Sequence, residues 1–206
     1  MIEMRTQAEE MIDLTINKES IELSFRRIAN ELMNDWMLVC GKGKYRIAEL
    51  EFYYNSEQHL DPYTHDHKRQ STFGEWYIHP SGMDITIGRD GAYGGILMRA
   101  IQDLTDDKNY IYGPINCLTE LFKNINNVEL QNIPFGLKTN NSPRTAESVI
   151  ALPRVGLNQI KSPDYFDKHY RYIVLPHKKH PGKENVRKRM LSEGTSLAQV
   201  KRIWGW

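Results

Sequence analysis

The chain has 206 residues, 40% of them hydrophobic and 26% charged, with a formal net charge of +1. That suffices for one domain with a sizeable core, is ordinary for a soluble globular protein, and includes no apolar run near the ~18 residues that cross a bilayer. The N-terminus, MIEMRTQAEEMIDL, has acids where a secretory leader needs a basic patch and an apolar stretch, so a cytoplasmic address is expected. Cys40 and Cys117 are far apart and outside any C-x-x-C spacing, which points to neither a disulfide framework nor a zinc knuckle. A nearly neutral chain offers no overall basic footprint, so a nucleic-acid surface would have to come from uneven charge placement. Nothing in the sequence speaks to oligomeric state.

In chain order, residues 1–17 read as an N-terminal arm or helix. From Lys18, Ile21, Phe25, Ile28, Leu32 and Trp36 recur at helical spacing and predict a helix with one buried stripe. Trp36 to Cys40 reads as a buried strand and Gly41 to Lys44 as a turn. The next stretch, Y-R-I-A-E-L-E-F-Y from Tyr45 to Tyr53, alternates polar and apolar residues as a half-buried strand does. Residues two apart share a face of a strand. Glu49, Glu51 and Tyr53 therefore look one way, and Ala48, Leu50 and Phe52 the other.

Asn55 to Thr72 is a long polar stretch read as a functional loop, with the corner Asp61-Pro62-Tyr63-Thr64-His65 inside it. Trp76 to His79 and Asp84 to Ile87 predict two strands around Pro80-Ser81-Gly82, and Ile96 to Ile101 is an apolar run broken only by Arg99. Proline after Gly113 marks a helix start. Residues 126–145 read as loop, and Ala146 to Leu152 and His169 to Leu175 as strands. Residues 18–176 thus form the main domain and 177–206 a basic helical tail. Strands and helices mix without regular alternation, so the expected class is α+β, a single domain with a curved, mainly antiparallel sheet and flanking helices.

Two carboxylates and a ring on one strand face are costly to bury without a use, although an edge strand showing its acids to water would give the same pattern. His59, Asp61, His65 and His67 could ligate a metal, but their spacing has no strong precedent. Arg99 inside an apolar strand needs an ionic partner, and the strand acids are the nearest in kind.

The pattern R-I-x-E-x-E-x-Y followed by D-P-x-[ST]-H resembles the alkyladenine (3-methyladenine) DNA glycosylases, and G-A-x-x-x-x-L-x-R-A, Tyr112-Gly113-Pro114 and Pro153-Arg154-Val155-Gly156 extend the likeness over most of residues 28–175. The resemblance implies a hydrolase that releases a damaged base from DNA. Glu51 would activate the water, Tyr53 and His65 would hold the base, and Arg99 would line the pocket, with Glu49 and Asp61 in support. It implies no cofactor and no metal, because water is the nucleophile, and no lysine at a matched position implies a Schiff-base step. The chain departs from the family in the strand Met83-Asp84-Ile85-Thr86-Ile87, which lacks the tyrosines that wedge into a duplex. Arg69, Arg89 and Tyr93 are the residues expected to contact DNA in their stead. A hydrolase acting on nucleosides or single strands, or a non-catalytic nucleic-acid binder, would fit the same residues without a wedge.

Overall fold

The helical stripe read from the sequence forms α1 (Ile21–Asn34), which buries Phe25, Ile28, Ala29 and Leu32 completely. Phe25 stacks on Phe52 of the sheet with ring centroids 4.4 Å apart. In this computed structural model, residues 11–106, 109–125, 133–141 and 146–204 are described. After α1 come β1 (Trp36–Cys40), β2 (Gly43–Ser56), the short β3 (His59–Leu60), a 3-10 turn (Lys68–Ser71), β4 (Phe73–His79), β5 (Gly82–Ile87) and β6 (Tyr93–Asp103). They are followed by β7 (Tyr110–Tyr112), α2 (Pro114–Phe122), β8 (Phe135–Thr139), β9 (Ile150–Leu152), α3 (Pro163–Phe166), β10 (Arg171–Ile173), α4 (Lys183–Ser192) and α5 (Leu197–Trp204). The result is the expected α+β domain, built on one curled antiparallel sheet.

β2 is the spine of that sheet. It pairs with β6 along one side, with β1, β10 and β3 along the other, and β4 and β5 extend the sheet beyond β6. The ladder between β2 and β6 slips twice, once at Ala48 and once at Arg99, and the two extra residues cancel. Their effect is to change phase. Tyr45 and Ile47 face the core before the bulge, and Ala48, Leu50, Phe52 and Tyr54 face it after. A bulge of this kind re-aims the side chains beside it, and here it sends Glu49, Glu51 and Arg99 to the face away from the main core.

Several boundaries differ from the sequence reading. Residues 135–139 form an edge strand on β1, where a loop was expected, with Trp36 opposite Thr139 and Cys40 opposite Phe135. The rest of that expected loop, 126–132 and 142–145, lies outside the described residues. The two later strands are shorter than read, because side chains take over their ends. Glu147 lies ahead of β9: its N–H donates to Asn34 Oδ1, and its carboxylate takes Arg46 and the Leu175 N–H. Leu175 itself leaves extended backbone, with φ of 54°.

The arm and the tail are both part of the body. Of the arm, residues 1–10 lie outside the described residues; Leu14 and Ile16 are buried in the main core, and Arg27 holds the carbonyls of Asp13 and Thr15. In the tail, Val186, Met190 and Val200 close a second apolar cluster with Ile150, Leu152 and Ile173. The boundary expected at residue 176 therefore runs through a packed interface. Among the described residues no helix is long and apolar enough to cross a membrane.

Candidate functional site

Residues opposite one another in an antiparallel ladder share a face. Arg171 of β10 lies opposite Glu51, Glu51 opposite Leu97 of β6, Leu97 opposite Asp84 of β5, and Asp84 opposite Tyr77 of β4. Two acids thus stand in one row, two strands and roughly 10 Å of backbone apart. Tyr53 belongs to the next row, opposite Gly95.

Over this face opens a cavity of about 330 Å³, in the range of small-ligand sites. Tyr53, Tyr63 and His65 give it rings, Gln70, His79 and Asp84 form a polar wall, and Arg99 and Val155 line it beside Glu51. The loop that carries Val155 is fixed from below, since the Tyr63 hydroxyl donates to the carbonyl of Asn158 at 2.6 Å. A larger groove of about 600 Å³ lies on the other face of β5 among Trp36, Phe73, Trp76 and Phe135; its described lining holds no carboxylate, imidazole or thiol. Chemistry points to the smaller cavity.

Glu51 is fully buried, just behind the cavity wall. One oxygen accepts from the Val155 N–H at 2.8 Å. The other accepts from the Tyr53 hydroxyl at 2.8 Å and Arg99 Nη1 at 3.2 Å. All three of its donors line the cavity, and a carboxylate offers about four lone-pair positions, so one is left. Burial raises the carboxyl above the ordinary glutamate range, against the opposing pull of Arg99, the Val155 N–H and Tyr53.

Glu49 behaves in the opposite sense. It is equally buried, but Arg99 Nε (3.0 Å) and Arg171 Nη1 (3.3 Å) donate to one oxygen while His180 Nδ1 lies 2.7 Å from the other. Burial works to raise it, yet the His180 hydrogen bond and the charges of Arg171, His180 and Arg99 together hold it below the ordinary value. Arg99 therefore bridges both acids, as an arginine within an apolar strand requires. Arg171 and His180 are site-supporting residues that the sequence reading missed; only their contact across distant segments marks them.

Tyr53 is held in place by Arg154, whose guanidinium carbon sits 4.6 Å from the ring centroid. Arg154 in turn makes a bidentate pair with Asp61 at 2.6 and 3.0 Å, both side chains fully buried. Asp61 thus reaches Tyr53 through Arg154, which stands between them. His65 lines the cavity and meets His79 edge-on at 5.2 Å.

The alternative metal set does not converge. His59 is buried between the Tyr54 carbonyl and the Tyr170 hydroxyl, Asp61 is taken by Arg154, and His67 stacks on Tyr77. The residues expected to contact DNA also lie outside the cavity lining. Arg89 covers the Phe73 ring at 4.2 Å, Tyr93 is half-buried opposite Asn55, and Arg69 is exposed on the 3-10 turn. Lys161, unremarked in the sequence, does line the cavity, 5.5 Å from the Tyr63 ring centroid.

No family model matches the chain. Over 188 residues it is 28% identical to a protein described as "Uncharacterized protein L759" from Acanthamoeba polyphaga mimivirus, a likeness covering 73% of this chain and 86% of that protein.

Proposed function

We propose that the chain is a hydrolase of N-glycosidic bonds that releases a damaged, alkylated or deaminated, purine from DNA. The observation that carries this reading is the setting of Glu51: a buried carboxyl with a raised pKa, held by three donors that all line a cavity furnished with rings. As the C1′–N bond breaks, the electron pair leaves with the base and positive charge builds on the sugar. A carboxylate beside it steadies that charge electrostatically. Water then forms the new C1′–O bond and gives its proton to Glu51. Tyr53 and His65 hold the departing base, and stacking on a ring is worth ~1–3 kcal/mol per base. Arg99 keeps Glu51 ionised enough to accept the proton.

The test is release of free base from alkylated or deaminated oligonucleotides, followed as abasic sites. The Glu51→Gln variant, nearly equal in size, should lower the rate by about 10²–10⁴-fold. A variant as active as the wild type would remove Glu51 from the chemistry.

A second reading keeps the bond and changes the substrate. Flipping a base out of a duplex costs a few kcal/mol, and neither Arg89 nor Tyr93 lies at the cavity to offset it. That placement favours single strands or free nucleosides. Rates on duplex, single-stranded and nucleoside forms of one lesion separate the two readings.

A further inference from the structure

The polar wall of the cavity is absent from the mechanism above, and it has an internal logic. Asp84 Oδ1 lies 3.0 Å from His79 Nε2, and Asp84 Oδ2 accepts from Gln70 Nε2 at 3.2 Å. His79 Nδ1 faces the Ser81 N–H, so its Nε2 carries the hydrogen that Asp84 accepts. A carboxylate only accepts, which leaves the Gln70 amide one orientation: its NH₂ toward Asp84 and its oxygen away. That oxygen, on a residue 1% exposed, has no hydrogen-bond partner among the described residues.

Two glycines fix this arrangement. A Cβ at Gly95 would collide with Asp84 Oδ2 and come within 3.1 Å of Gln70 Nε2. One at Gly88 would strike the Gln70 carbonyl, so the backbone of the 3-10 turn is seated directly on β5's end. A buried acceptor without a donor is unfavourable until a donor arrives, and Gln70 is one of the residues that line the cavity.

We infer that Gln70 is the specificity-determining residue of this site and that Asp84 is its positioning residue. The Gln70 oxygen takes an N–H of the bound base and so selects a base carrying an exocyclic amino group over one carrying an oxo group or hydrogen there, which narrows the substrate proposed above to alkylated adenine and away from deaminated purines. The inference rests on the base-binding reading of the cavity given above. It does not require that a bond be broken.

The test is therefore a ligand-observed NMR titration with free adenine, hypoxanthine and unsubstituted purine. Wild type should bind adenine about tenfold more tightly than the other two, and Gln70→Leu should level the three. Asp84→Asn makes a sharper demand. Its oxygen stays opposite His79, its NH₂ faces Gln70, and the Gln70 amide must turn to present its own NH₂. The preference should then invert toward hypoxanthine, and this variant decides alone if Gln70→Leu does not fold.

Equal affinities in the wild type, no binding of any base, a preference that survives Gln70→Leu, or one unaltered in folded Asp84→Asn would each overturn the inference. Adenine preference without base release from any substrate would keep the inference and remove the hydrolase reading. Base release with no preference in binding would do the reverse.

Discussion

Glu49 and Glu51 are two residues apart on one strand face, yet their surroundings push their carboxyl groups in opposite directions. Such divergence is how a site keeps one acid as a fixed charge and another available for proton transfer. In the mechanism we propose, Glu51 acts as the ionised form, so base release should fall as pH drops through its raised pKa. The acid limb of kcat/KM should lie above the ordinary glutamate value of 4.5. Arg99→Met removes a charge that lowers that pKa and should move the limb further up. A limb unmoved by the variant would mean that another group sets it. Stability follows the opposite acid: the depressed Glu49 contributes above its unfolded value, and this is lost as pH falls through its folded pKa. The shared face of Glu49, Glu51 and Tyr53 was legible because strand alternation is local. Which acid titrates high was not, since that depends on Val155, Arg171 and His180, each more than 100 positions away.

At the scale of the element, the site depends on β5 and β6 meeting closely. Gly95 stands opposite Tyr53 on one side and Thr86 on the other, and the Asp84 carboxylate fills the space where a side chain would be. Gly95→Ala should cost about 1–3 kcal/mol, read from the urea midpoint, and should disturb base preference with it. A variant as stable as the wild type would show that Asp84 can shift freely. The sequence displayed β5 only as a strand short of tyrosines. Asp84 gains its part from Gln70 and His79, which belong to a turn and a neighbouring strand, so no periodicity announces it. The paired bulges at Ala48 and Arg99 were equally hidden, because the change of phase shows on β2 only as two adjacent apolar residues, Ile47 and Ala48, and nothing local says that β6 compensates at Arg99.

Across the whole molecule, the tail is attached by apolar contacts through Val186, Met190 and Val200 and by polar ones that include His180 on Glu49 and Arg171 on the Pro181 carbonyl. His180→Ala should lower stability by about 1.5–3 kcal/mol, the range for hydrogen bonds to charged groups. At roughly 2–4 °C per kcal/mol for a chain this size, the melting temperature should fall by about 3–12 °C. Replacing the exposed Lys201 with alanine should leave it unchanged, and thermal denaturation followed by circular dichroism compares the two. The basic composition of the tail was plain in the sequence, and so were its helices. Its docking was not, since Lys and Arg on the outside say nothing about where three scattered apolar residues will be received.

The link between His180 and Glu49 also sets an order of events. A polypeptide is made from its N-terminus, so Glu49, Glu51 and Arg99 emerge from the ribosome long before the histidine whose Nδ1 meets the second Glu49 oxygen. Until then Glu49 lacks one of its partners, and the strands below it lack part of their cover. A product cut short before His180 would carry every residue proposed for chemistry while Glu49 lacked that hydrogen bond. The acid pair on this face is in this way completed only once the tail has been made.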